Sequence, residues 1–108
     1  MPLDIQIIER VTGKIDPELS AHLGVEEHGL LFAHPDMQSG RFPLLARIRD
    51  YYSDTDYATE ELEALIAELE RAAVLFGPDS SVRRFLGPFH SLCCLAFLRQ
   101  KSVALYAD

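Results

Sequence analysis

The loops and turns that usually betray a small enzyme are missing from these 108 residues. There is no GxxxxGK[ST] or GxGxxG segment to cradle a phosphate and no GxSxG turn to present a serine. No two histidines fall in an HxxxH or HExxH pattern, so zinc has no ready-made helical seat. Cysteine is scarce: Cys93 and Cys94 are the only two, and they are adjacent. Neighbouring thiols rarely bridge, and on a helix they diverge by about 100°. With no CxxC they read as two small hydrophobes rather than a disulfide or a metal site. Apolar runs stay far below the ~20 residues that span a bilayer. The start, MPLDIQIIER, carries Asp4 and no basic stretch, so it does not read as a secretory signal. A cytoplasmic protein without membrane association is expected.

Positive charge is missing from one long stretch. Between Asp50 and Glu70 stand eight acids (Asp50, Asp54, Asp56, Glu60, Glu61, Glu63, Glu68 and Glu70) and no lysine or arginine. The chain has 17 acidic and 10 basic residues, a formal −7. With these eight set aside, 9 acids face the 10 bases, so the acidity belongs to one segment. A phosphate backbone rewards the opposite pattern, which argues against direct nucleic-acid binding. Arg41, Arg47 and Arg49, and likewise Arg83 and Arg84, read as internal partners of the acids.

The same segment holds the clearest helix. Leu62, Leu65, Ile66, Leu69, Ala73 and Phe76 recur at three- and four-residue steps and share one face. Thr59 is the expected N-cap, and Glu60, Glu61 and Glu63 follow where the helix dipole favours carboxylates. Gly77-Pro78 supplies the stop.

At this length and with 48% apolar and 25% charged residues, the sequence suits a single globular domain over 1–108. Alternation predicts a strand over Leu3–Val11 and a turn at Thr12-Gly13-Lys14. Asp16-Pro17-Glu18 reads as a helix start, giving a short helix to about Leu23-Gly24. Leu30–Ala33 reads as a second strand, and Met37–Gly40 as loop. Arg41–Tyr52 stays open between strand and helix, with helix or irregular structure favoured for its first part. Asp79-Ser80-Ser81 caps a segment through Val82, Phe85 and Leu86, and Gly87-Pro88 predicts a kink or a break with a fresh helix at Pro88. That helix carries Phe89, Leu92, Cys93, Ala96 and Phe97, closing on Arg99 and Lys101. A terminal strand covers Ser102–Tyr106. The expected class is α+β, with a few-stranded sheet, built from the N-terminal and C-terminal strands, packed on two or three helices.

Several constellations fall short of chemistry. His28, His34 and Asp36 share a loop-like region that a metal-dependent enzyme would need. Asp50, Asp54 and Asp56 with Glu60 or Glu61 offer oxygen ligands but lack the glycine of a calcium loop. His90, Ser91 and Cys93 lie on a core helix, where closeness in sequence does not aim side chains at one another. No catalytic residue, metal or cofactor is called for.

What remains is an acidic loop threaded with aromatic residues. Tyr51, Tyr52 and Tyr57 interleave with Asp50, Asp54 and Asp56. Tyrosine buries large area at interfaces while its hydroxyl still finds a partner, and carboxylates steer basic partners inward. In size, acidity and lack of catalytic apparatus the chain resembles bacterial immunity proteins, acidic inhibitors of basic nuclease toxins. That resemblance implies a non-enzymatic inhibitor that captures a basic protein. Its contact set would be Asp50, Tyr51, Tyr52, Asp54, Asp56, Tyr57, Glu60 and Glu63. The alternative is an assembly subunit that self-associates, for instance as a homodimer, through an apolar surface on Phe85–Phe97.

Overall fold

The computed structural model describes residues 3–8, 15–38, 40–49 and 54–107. Strand β1 spans Leu3–Ile8 and β2 spans Ile15–Leu23. Helix α1 is Val25–Ala33, followed by two 3-10 turns, Pro35–Gln38 and Leu45–Ile48. Then come β3 (Thr55–Tyr57), α2 (Thr59–Val74), α3 (Ser81–Leu98) and β4 (Ser102–Ala107). The α+β expectation holds. The four strands form one antiparallel sheet in the order β2-β1-β4-β3, with the N- and C-terminal strands as its centre. Helix α3 packs against β1, β2 and β4, and α1 and α2 pack against α3.

Two element assignments are corrected. Asp16–Leu23 is strand, not helix. Gln6 pairs with Ser20 but Ile7 pairs with Asp16, so Pro17, Glu18 and Leu19 stand out as a bulge in an edge strand. An edge bulge is one of the few places where a sheet tolerates proline, since no ladder hydrogen bond is asked of it. Leu30–Ala33 is the end of α1, not a strand. Leu31 and His28, three apart, turn inward while Leu30 stays exposed, a helical arrangement that a four-residue apolar run conceals. Of the kink or break expected at Gly87-Pro88, the break is absent: α3 is one helix over Ser81–Leu98. Both residues lie on its exposed side. The cost of the missing Pro88 amide is met by Phe85, Leu86, Phe89, Leu92 and Cys93, all buried along the other face.

The helix over Thr59–Val74 is present, with Leu62, Leu65 and Leu69 buried. Its N-cap is Ala58 rather than Thr59, which is the first helical residue; the Thr59 hydroxyl is buried with no hydrogen-bond partner among the described residues. At α3 the expected cap is present, Ser80 Oγ accepting from the Val82 N–H at 3.1 Å. The chain leaves α3 through Gln100, whose φ of 55° is left-handed. The Lys101 N–H bonds the Ala96 carbonyl at 2.8 Å and the Gln100 N–H that of Phe97 at 3.1 Å, a Schellman ending that turns directly into β4. Arg41–Arg49 resolves as irregular chain followed by the Leu45–Ile48 turn, and Met37–Gly40 is not plain loop, since Met37 lies in a 3-10 turn and joins the core. The part of the first strand beyond Ile8, the turn at Thr12–Lys14, and Asp50, Tyr51 and Tyr52 fall outside the described residues.

Candidate partner-binding surface

A three-residue strand begins the site. Along β3, Thr55 is half-buried, Asp56 is exposed and Tyr57 is fully buried, the alternation that a pleated strand imposes. This segment was expected as loop. Pairing of Asp56 with Ala104 and of Tyr57 with Val103 makes it the edge of the sheet. The first turn of α2 follows one residue later and sets Glu60 and Glu63 on the exposed side. Asp54, Asp56, Glu60 and Glu63 are thereby all solvent-facing around one strand-to-helix corner.

The corner is clamped by Arg47. Its guanidinium makes a two-pronged contact with the Glu61 carboxylate, Nη1 donating to Oε1 at 3.0 Å and Nη2 to Oε2. Nη1 also donates to the Asp56 carbonyl at 3.3 Å, and the guanidinium lies 5.3 Å from the Tyr57 ring centre. In return, the Thr55 hydroxyl donates to the Arg47 carbonyl at 3.0 Å. Glu61 Oε1 accepts from the Ala58 N–H at 3.0 Å, closing the start of α2 that alanine cannot cap by itself. The Arg47 hydrogen bond is the main reason the Glu61 carboxyl sits below its ordinary range, with the Ala58 amide second. Arg47 is raised in turn, chiefly by Glu61.

The acidic segment is therefore not one uniform patch. Glu61 is neutralised by Arg47, as the reading of the arginines anticipated. Glu68 is buried, and its carboxylate accepts from the Leu44 N–H at 3.1 and 3.2 Å and from the Leu45 N–H at 3.0 Å. It fastens the entry to the Leu45–Ile48 turn onto α2. The signal for this was present: Leu65, Glu68, Leu69 and Ala72 follow the i, i+3, i+4, i+7 rule, so Glu68 occupies a core-facing position. Glu70 meets His90 at 3.1 Å.

Tyr57 is corrected as a contact residue. It is 0% exposed, and its hydroxyl donates to the Leu44 carbonyl at 2.6 Å, so it serves the core instead of a partner. Strand alternation that places Asp56 outward necessarily turns Tyr57 inward.

The other constellations are used structurally. His28 is buried, with Nε2 donating to the Ile48 carbonyl at 2.7 Å and its ring tilted against Phe32. His34 Nδ1 accepts from the Asp36 N–H, and its ring meets Phe76 edge-on. Among the described residues no group of three His, Cys, Asp or Glu side chains is arranged to hold a metal ion. Cys94 Sγ lies 3.8 Å from Nδ1 and 3.9 Å from Nε2 of His90. A sulfur in line with either ring nitrogen would be much nearer to that one, so the thiol is not aligned for proton transfer. Burial raises the Cys94 pKa, with Glu70 adding to the effect, which favours the unreactive thiol. Within Phe85–Phe97, Phe85, Phe89, Leu92 and Ala96 are buried, while Leu95 and Phe97 are partly exposed. Among the described residues no helix is long and apolar enough to cross a membrane.

None of the family models, curated proteins or solved structures compared with this chain matches it.

Proposed function

We propose that this chain is a non-enzymatic binding module, an inhibitor or immunity-like protein of the cytoplasm that captures a basic partner protein at the β3–α2 corner. The observation that carries this reading is the exposure of Asp54, Asp56, Glu60 and Glu63 around a corner whose fifth carboxylate, Glu61, is tied back by Arg47. The internal pair holds the backbone of the corner, and its exposed acids, Asp56 and Glu63 foremost, give it a local negative field. Such a field raises the encounter rate with a positive surface and is screened within about 8–10 Å at ordinary ionic strength. A preorganised corner also lowers the ordering cost of binding. Two free cysteines and no disulfide among the described residues suit a reducing compartment.

The test is capture from a native lysate on the immobilised protein at low salt, with elution by rising salt and identification of what leaves. A parallel column carries Asp56→Lys, Glu60→Lys and Glu63→Lys together. The reading expects a basic protein that the native column retains, that elutes as salt rises, and that the triple variant loses. Retention of the same protein at the same salt by both columns sinks it.

A further inference from the structure

At the opposite end of α2 from the acidic corner, two arginines, Arg41 and Arg71, line a cavity of about 360 Å³. Arg41 comes from the chain ahead of the Leu45–Ile48 turn and Arg71 from the last turn of α2, and Asp36, Phe42 and Leu75 complete the lining. Arg71 is held in place: its Nη2 donates to the Arg41 carbonyl at 3.3 Å, and its guanidinium lies 5.5 Å from the centre of the Phe42 ring. Among the described residues neither arginine is ion-paired to a carboxylate. The lining thus carries two positive groups against the single acid Asp36, a local excess of positive charge on a chain of formal charge −7.

We infer that this cavity binds a small organic anion, a carboxylate or phosphate group carried on one compact apolar or aromatic body. Guanidinium is the side chain whose planar fork matches both oxyanions in two-pronged fashion. Here one fork is already positioned by the Phe42 ring and the Arg41 carbonyl, so little rotamer freedom is lost on binding. Leu75 and Phe42 give the ligand an apolar wall, and the volume lies at the small end of ligand pockets, which suits a single ring. Asp36 opposes a bare, highly charged anion. The inference stands independently of the acidic corner, because no residue is shared between the two.

The experiment is an NMR titration of the intact protein with benzoate, phenyl phosphate and, as the neutral control, benzyl alcohol. The Leu75 methyl and arginine side-chain signals report occupancy. Saturating shifts are expected with at least one of the two anions, and binding of benzyl alcohol roughly tenfold weaker or less. The better of benzoate and phenyl phosphate identifies which oxyanion the site prefers. Arg41→Gln, on an exposed side chain, and Arg71→Gln should each weaken that anion roughly tenfold. Asp36→Asn should tighten it. Equal affinity for benzyl alcohol, absence of saturation with both anions, or unchanged binding in folded Arg41→Gln and Arg71→Gln proteins overturns the inference.

Discussion

The hydroxyl of Tyr57 donates to the carbonyl of Leu44 at 2.6 Å, while the amide of the same Leu44 is taken by the buried Glu68 carboxylate. Both polar groups of one residue in an irregular segment are thus satisfied by side chains from β3 and α2. That segment has no ladder of its own, and a buried peptide group left unpaired would be costly. Tyr57 and Glu68 thus fasten this segment to β3 and α2, the two elements that carry the outward acids.

Removing the Tyr57 hydroxyl tests the first of these ties. In Tyr57→Phe the ring remains in the core, and the Leu44 carbonyl keeps the Arg47 amide at 3.2 Å, so the loss should be about 1 kcal/mol in urea unfolding. The pH dependence is more specific. Burial holds the Tyr57 phenol well above its ordinary range, so the fold keeps a proton that the unfolded chain releases. Its contribution is fully present below the ordinary tyrosine pKa of about 10 and is lost as pH rises beyond it. Tyr57→Phe should therefore lose less stability than the native protein on the alkaline side. The buried Cys93 thiol, also raised by burial, is common to both and cancels in the difference.

The Arg47–Glu61 pair sets the opposite limb. Glu61 is depressed in the fold, so its contribution is present above the unfolded glutamate range, near 4.3, and disappears as pH falls through the lower folded value. The pair is partly exposed, so the effect belongs with surface pairs at about 0.2–1 kcal/mol. Glu61→Gln should flatten the stability profile on the acid side without moving it at pH 7 by more than that amount. An acid limb identical to the native one would show that Arg47 contributes no net pairing energy.

A larger loss is expected at Glu68. Glu68→Leu matches the apolar neighbours Leu65 and Leu69 but strands the Leu44 and Leu45 amides, at a cost of about 3 kcal/mol. Glu68→Gln keeps one acceptor oxygen and should fall between Leu and native. Equilibrium unfolding of the three proteins gives the ranking, and a Leu variant as stable as native would show that water reaches those amides.

What the sequence disclosed and concealed follows from how local each signal is. Helix α2 was legible because six apolar residues repeat with one period, β1 from alternation, and β4 as the short apolar run Val103-Ala104-Leu105. The Ser80 cap needed only its neighbours. β2 was misread because Asp16-Pro17-Glu18 is a sound helix start on its own, and only pairing with β1 turns Pro17 into an edge bulge. β3 has three residues, too few for alternation to declare itself, so Tyr57 read as an interface tyrosine when its partner in β4 lies 46 positions away. Arg71 and Arg41 are 30 apart in the chain and gave no joint signal.

The end of α3 offers a clean test of backbone conformation. Gln100 occupies the left-handed position of the Schellman ending, where a side chain crowds the backbone and glycine does not. The two bonds that close this ending are made by main-chain groups of Gln100 and Lys101, so replacing the side chain leaves them in place. Gln100 is also exposed, and no core contact is lost with it. Left-handed strain for a non-glycine residue is about 1–2 kcal/mol, and the greater freedom of glycine in the unfolded chain offsets part of it. Gln100→Gly should therefore raise stability by roughly 0.5–1 kcal/mol, whereas a β-branched Gln100→Val should lower it by a similar amount or more. Thermal unfolding of the pair measures both, and a glycine variant less stable than native would mean that the turn from α3 into β4 is not strained at this residue.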